Sequence, residues 1–334
     1  MMVLRPYPLE TNPMQRFRVS EDSMRPTLVP GDEFVATASR PARVGDIVAL
    51  PHPDREDFWL VKRLAAGPGE TVDGVGPLGS GEAWVLSDNP DGGVSDSRRF
   101  GPVPVAGLRP VVTRLDETTF TEAVDLLGAE EEAFASVIGA HGQPPFWHRP
   151  EGFPTLVWLI MEQQVSLESG AEMYRRLHGL LGEITPEAVV GSGEVGLRSI
   201  GITRQKATYL LDLAALIADG DLDLEQLGRA TQDQARSMLL DVRGIGPWTA
   251  DVYLLSALRL PDAFPLGDRA LQVGTGEVLG LTSVPDVAEL ELLSTPWRPV
   301  RAVAARIIWH FYLASRGRVE PPDPTVEHPS GRGA

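Results

Sequence analysis

The feature that most limits what this chain can fold into is a change of hydrophobic period near residues 116–121. Upstream, over residues 32–115, the apolar residues come in short runs rich in Val, Phe and Trp (EFVATA, DIVALP, FWLVKRL, EAWVLS, RPVVTRL), separated by Gly, Pro and Asp. Runs of that length between turn residues build strands, whose side chains alternate faces with period two. Downstream, segments such as LVWLIMEQQ, QKATYLLDLAALIA, TADVYLLSAL and VRAVAARIIWHFYLAS carry the 3.6-residue period of helices. With 334 residues the chain also exceeds the ~250 at which a single core stops growing. The pattern predicts a multi-domain α+β protein: a small β-rich N-terminal domain followed by an all-α domain of roughly eight to ten short helices. The expected divisions are an N-terminal extension over 1–17, the β-rich domain over 18–115, a linker over 116–125 and the helical domain over 126–316. The Pro- and Gly-rich tail, 317–334, has too few apolar residues for a core and is expected to be disordered.

Composition removes several classes of function. With no cysteine, a disulfide scaffold, a cysteine nucleophile, a thiolate zinc site and a cysteine-ligated iron–sulfur cluster are excluded. Six scattered histidines, with no pair at metal-ligand spacing, offer no metal site by side chains, and no cofactor is expected. No apolar run approaches the ~20 residues that span a bilayer, and the N-terminus lacks the apolar core of a signal peptide. The expectation is a cytoplasmic protein with no membrane partner. A net charge of -16 argues against attraction to polyanions along the whole chain, so any nucleic-acid contact needs a local basic surface. Of thirty basic residues only Lys62 and Lys206 are lysines. Arginine supplies charge equally well but cannot be deprotonated, so each lysine in such a chain asks for a reason.

In the helical half, LLDVRGIGPWTADVYLL (residues 239–255) sets Gly244, Ile245 and Gly246 before Pro247, where a helix begins. Such a hairpin leaves backbone N–H groups near the surface at a helix N-terminus, suited to a phosphate, or it simply joins two helices. About twenty residues on, DAFPLGDRALQ puts Asp268 at another helix start, where it is either a cap or a functional carboxylate. These segments, with LIMEQQVS, GITRQKATYL and WRPVRAVAARIIW in the same order, resemble the helix-hairpin-helix DNA glycosylase superfamily, and within it the DNA-3-methyladenine glycosylase II type, across residues 145–316. The resemblance implies that Asp268 is the catalytic carboxylate and that Gly244, Ile245 and Gly246 grip a DNA phosphate, with a cation at the backbone of Gly244 and Gly246. It implies further that Gln164 wedges into the duplex, and that Trp248 and Trp309 line the base pocket unless they are simply core. The implied partner is double-stranded DNA containing alkylated bases. Electron-rich indole faces would favour a cationic alkylated purine by ~1 to 2 kcal/mol.

The lyase members of that superfamily carry a lysine where this chain has Trp248, so the resemblance implies hydrolysis without a Schiff base. Lys206 lies in another segment, on a phosphate or on the open surface. Residues 121–320 hold 16 Lys+Arg against 27 Asp+Glu, a net of -11. DNA binding therefore requires Arg243, Arg269, Arg204, Arg298 and Arg301 to concentrate on one side, with the acidic runs 130–132 and 219–225 facing away.

In the N-terminal half, SEDSMRPTLVPGDEFV, FWLVKRLAAGPGE and LSDNPDGGVSDSRRFGPV resemble the signal peptidase I type of serine/lysine peptidase, a relative of LexA-like self-cleaving domains. The resemblance makes Ser23 the nucleophile and Lys62 its general base, with a protein partner or the chain itself as substrate. Lys62 is flanked by Leu60, Val61 and Leu64, so burial should favour its neutral form and bring it within reach of Ser23. Two departures stand out: Glu21 replaces a small residue two positions before the nucleophile, and the small hydroxyl that orients the lysine falls at Val94, beside Ser95. Two alternatives remain open from the sequence. One is a soluble peptidase whose helical domain only targets it to DNA; the other is a noncatalytic DNA-binding scaffold.

Overall fold

The computed structural model describes residues 12–89, 91 and 95–319. It divides into two compact units, one running to Glu132 and including residues 296–300, the other comprising residues 133–295 and those from Arg301 onward.

The first unit is built on strands β1 (Met14–Arg18), β2 (Glu33–Thr37), β3 (Ile47–Pro51), β4 (Trp59–Ala66), β5 (Thr71–Val72), β6 (Gly76–Pro77), β7 (Glu82–Leu86), β8 (Val103–Pro104) and β9 (Arg109–Pro110). Five of them form an antiparallel sheet in the order β8-β7-β4-β3-β9, while β1 pairs with β2 and β5 with β6. A one-turn helix α1 (Ser97–Phe100) follows β7. In the central strand β4, alternation puts Val61 into one apolar cluster with Phe17, Met24 and Phe34, and Leu60 and Leu64 into another with Val48 and Val85. Lys62 lies opposite Val48 in the β3–β4 register, so a charged residue type occupies a position meant for a core side chain.

Two expected divisions are corrected in this unit. Residues 14–17, assigned to an extension, belong to β1, which pairs antiparallel with β2 and buries Met14 and Phe17. Residues 116–125, expected as a linker, open helix α2 (Glu117–Glu130). Asp116 and Thr119 form a capping box, and Phe120, Ala123, Val124 and Leu127 bury one stripe at helical spacing. Thr37 Oγ1 donates to Glu122 Oε2 at 2.6 Å, tying α2 to β2, so the helix belongs to the β-rich unit.

The second unit contains α3 (Glu132–His141), α4 (Phe153–Glu162), α5 (Leu167–Leu181), α6 (Pro186–Ser199), α7 (Arg204–Ala218), α8 (Leu224–Arg229), α9 (Gln232–Leu240), α10 (Pro247–Ser256), α11 (Arg269–Val278), α12 (Val287–Ser294) and α13 (Arg301–Ala314). α4 is buried almost all round and α10 from Thr249 onward, which makes them the central helices. Side-chain caps recur at the helix starts: Ser166, Thr185, Thr203, Thr231, Asp268 and Asp286 each accept a backbone N–H. α11 and α13 pack through Gly274, where an added Cβ would lie 2.7 Å from Ile308 Cγ2. That close approach brings the start of α11 against the middle of α13. In the segment expected to be a disordered tail, residues 317–319 are ordered: Gly317 takes φ 62° and Arg318 N–H bonds back to Leu313 O, closing α13. The remainder of that tail lies outside the described residues. Among the described residues no helix is long and apolar enough to cross a membrane.

Candidate active sites

In the first unit, Ser23 sits in a short turn of 3-10 helix (Asp22–Met24) and its side chain reaches Lys62 on β4. Lys62 Nζ donates to Ser23 Oγ at 2.7 Å, with the two residues 2% and 6% exposed. The expected meeting across thirty-nine positions is therefore present. Burial holds the Lys62 ammonium below the ordinary lysine pKa, against the opposing pull of the Asp96, Glu21 and Asp88 charges. A neutral amine can reverse this contact and take the serine proton, whereas an arginine cannot. Asp96 caps α1 and is held by Arg98 and by Ser87 N–H. Burial pushes its carboxyl up, but these donors more than reverse the effect and leave it below the usual Asp value. Glu21 is exposed beside the serine. Ser95 Oγ lies 3.5 Å from His52 Nε2, while Val94 falls outside the described residues.

The second unit holds a cavity of about 530 Å³, a size typical of small-ligand sites. Asp268 caps α11 through Leu271 N–H at 2.7 Å, so its carboxylate is fixed by the helix start. Two indoles complete its coordination. Trp248 Nε1 donates to Asp268 Oδ2 at 2.8 Å and Trp309 Nε1 to Oδ1 at 3.1 Å. The three residues named from sequence are thus brought together from α10, α11 and α13, and all three line the cavity. The indoles present their N–H edges to the carboxylate, a role beyond the flat base-stacking surface expected of them.

The hairpin between α9 and α10 is anchored from inside. Gly244 takes φ 90°, and a Cβ there would lie 2.3 Å from Tyr209 Cγ, so only glycine fits. Ile245 is buried, and its N–H bonds to Val242 O, while Gly246 is exposed. Gln163, one residue before the expected wedge, donates to Gly244 O at 2.8 Å and Thr249 Oγ1 at 2.9 Å, locking the hairpin to the end of α4. Gln164 is exposed with φ 59°. The Gly244 and Gly246 carbonyls each already accept one hydrogen bond, from Gln163 and from Ala250 N–H. Two such carbonyls by themselves fall short of the several oxygen ligands a hard cation takes.

The expected DNA-facing cations divide. Arg243, Arg269, Arg204 and Arg298 are exposed, with Arg243 paired to Asp212 and Arg204 to Glu194. Arg301 is not available to a phosphate: it is 6% exposed and grips both Asp262 oxygens at 2.9 and 2.7 Å. Lys206 is also corrected, being neither on the surface nor in the cavity. Its Nζ donates to Met161 O at 2.6 Å in a buried position, capping the end of α4, and burial lowers its pKa. In the acidic run 219–225, Asp219, Asp221, Asp223 and Glu225 are exposed; Glu130 instead pairs with Arg16 at 3.0 Å.

Sequence reasoning missed the other wall of the cavity. Arg149 donates to both Glu162 oxygens at 3.0 and 3.2 Å and stacks on Trp158, 3.8 Å from the ring centroid. Arg306 lies 3.4 Å from the Trp147 centroid. The available signal was a lone glutamate at the end of an otherwise apolar helix, LVWLIME, because a buried carboxylate needs a cation; FWHR supplies it.

Comparison with known proteins agrees with this division. Residues 157–299 match the HhH-GPD superfamily of base excision DNA repair proteins, and residues 8–77 match signal peptidase, peptidase S26. A DNA-3-methyladenine glycosylase of Bacillus subtilis is 28% identical over 172 residues, covering 48% of this chain and 57% of that protein. The chain spans about half the length of such curated relatives. The crystal structure of a DNA-3-methyladenine glycosidase from Bacillus halodurans aligns with a TM-score of 0.52 at 25% identity, over 59% of this chain and 92% of that one. The Schizosaccharomyces pombe 3-methyladenine DNA glycosylase in complex with abasic DNA aligns with a TM-score of 0.53 at 21% identity, over 58% and 97%. With a carboxylate at a helix start beyond a glycine hairpin, an aromatic cavity beside it and these matches, the helical unit carries a domain of the HhH-GPD superfamily of base excision DNA repair proteins.

Proposed function

We propose that this chain is a monofunctional DNA glycosylase that hydrolyses the N-glycosidic bond of alkylated purines in duplex DNA. The observation that carries the reading is Asp268, oriented by Leu271 N–H and two indole N–H groups in the wall of an aromatic cavity. A base in duplex DNA must leave the stack to be reached, and an alkylated purine has an already weakened glycosidic bond. Once the base occupies the cavity, the carboxylate stabilises positive charge developing on the sugar and can take a proton from the attacking water. Its fixed donors keep it aimed, so little reorganisation accompanies the reaction. The names of the bacterial relatives support alkylated purines as substrate, and the Schizosaccharomyces pombe complex with abasic DNA supports DNA as partner. The test is base release from methylated duplex DNA. Asp268→Asn is expected to lose ~10²–10³-fold in rate, as for removal of one electrostatic stabiliser, while retaining DNA binding. Near wild-type release by that variant would defeat the assignment.

A second activity is favoured by a separate observation, the 2.7 Å contact between Lys62 and Ser23. On this reading the N-terminal unit is a serine/lysine peptidase that trims a protein partner or the chain itself. Incubation at alkaline pH is expected to give slow cleavage that Ser23→Ala and Lys62→Arg both abolish; cleavage surviving Lys62→Arg would rule the dyad out, since a guanidinium keeps its proton.

A further inference from the structure

Two buried polar groups of the β-rich unit have hydrogen-bonding capacity left over, and the sheet sets them side by side. Lys62 Nζ carries more than one hydrogen, yet among the described residues its hydrogen bond goes to Ser23 Oγ alone. Ser87 Oγ is buried with no hydrogen-bond partner among the described residues. A buried polar group left short in this way is costly. The β4–β7 ladder pairs Leu64 with Val85 and Arg63 with Leu86, so the next pair in register is Lys62 with Ser87. Alternation agrees: Lys62 shares its face of β4 with Leu60 and Leu64, Ser87 continues the face of Ala83 and Val85, and those four apolar residues lie in one cluster. Side chains directly opposite in an antiparallel pair have Cβ atoms ~4.5 to 5.5 Å apart. Further along, Asn89 N–H donates to Ser23 O at 3.0 Å and its side chain to Asp22 O at 3.1 Å. Residues 87–89 therefore run from Lys62 to the turn that carries the nucleophile. Ser87 N–H is held by Asp96 Oδ2 at 3.0 Å, and Asp96 is the carboxylate whose charge acts most strongly on Lys62.

We propose that Ser87 is a positioning residue for the dyad: its hydroxyl accepts a second N–H of Lys62, taking the part that the resemblance places at position 94, where this chain has valine. The inference rests on the peptidase reading and deepens it. Rotation of the serine side chain between staggered wells re-aims Oγ and closes the contact. As Ser23 attacks, its proton passes to the lone pair of the Lys62 amine, and the ammonium so formed has one more hydrogen to place in a dry site. With one N–H on Ser87, the amine stays aimed at Ser23 and the new charge gains an acceptor.

The chain has two lysines, which makes the test direct. In an NMR titration of the full chain with carbon-13-labelled lysine, the Cε signal absent from Lys62→Met belongs to Lys62. Ser87→Ala removes the acceptor and leaves the Asp96, Glu21 and Asp88 charges in place. The Lys62 titration midpoint should then fall by ~1 pH unit, because a hydrogen bond accepted from the ammonium favours the charged form. Ser87→Thr, which restores a hydroxyl, should keep the wild-type midpoint. Ser95→Ala, next to the position the resemblance indicates, should leave it unmoved. In alkaline self-cleavage of the full chain, Ser87→Ala should lower the plateau rate ~10-fold and move the rising limb to lower pH, a combination that mere loss of stability does not produce. Circular dichroism establishes that each variant is folded. An unmoved midpoint or an unchanged plateau rate in folded Ser87→Ala, or a fall in Ser95→Ala instead, overturns the role of Ser87. Absence of cleavage by the wild type at every pH defeats the peptidase reading, and the titration then decides by itself whether Ser87 is the partner of Lys62.

Discussion

At the scale of the residue, Lys62 shows how a single side chain can be both a structural liability and a functional necessity. Its amine is taken out of water on a strand that otherwise carries Leu60, Val61 and Leu64. Burial lowers its folded pKa below the unfolded value, so between the two values the unfolded chain binds the extra proton. The resulting penalty on the native state is fully present at pH below the folded pKa and disappears as pH rises through the folded toward the unfolded value. Lys62→Met removes it. The melting temperature of Lys62→Met relative to wild type should therefore be most favourable near neutral pH and fall steadily as pH rises toward 10, as thermal unfolding across that range would measure. A difference that stays flat, or grows with pH, contradicts a depressed lysine. The same titration gives the peptidase its direction, with more neutral amine and faster cleavage as pH increases.

The relevant element in the helical unit is the hairpin between α9 and α10, which three different parts of the chain hold in place. Gln163 at the end of α4 grips Gly244 O and Thr249, Tyr209 of α7 packs against Gly244, and buried Ile245 anchors the turn. Gly244→Ala puts a Cβ into the Tyr209 ring at a positive φ and is expected to cost ~1 to 3 kcal/mol through strain. Denaturant unfolding should register that loss, and DNA affinity should fall with it, because the N–H groups of the turn are displaced. Gly246→Ala is the contrasting variant: nothing lies within 4 Å of its would-be Cβ, so its stability should stay within ~0.5 kcal/mol of wild type. Equal destabilisation by the two would show that the hairpin is not templated by Tyr209.

Across the whole molecule, the scarcity of lysine becomes a chemical prediction. Lys62 lies in the β-rich unit and Lys206 is buried with its amine on Met161 O, so neither of the chain's two lysine amines lines the cavity beside Asp268. Borohydride added during turnover should trap no protein–DNA adduct, and the product should be an intact abasic site. A trapped adduct would require an amine from elsewhere in the chain. Much of this organisation was legible from residues alone, since period two against period 3.6 separates a β-rich unit from a helical one, and a glycine pair, a proline and a capping aspartate announce their own local geometry. Ser23, Lys62, Asp268, Trp248 and Trp309 could be named because residue type and spacing constrain chemistry even before positions are known. The strand at 14–17 and the helix across 116–125 were not assigned from sequence, because whether a short amphipathic segment docks depends on the surface waiting for it. Nor was the cavity wall of Arg149, Trp158 and Arg306 visible, because it joins a loop, α4 and α13 across up to 157 positions of chain. Local pattern decides which elements form and which residues are chemically able. Only packing decides which buried carboxylate meets which cation, because those pairings depend on distances set by all the helices at once.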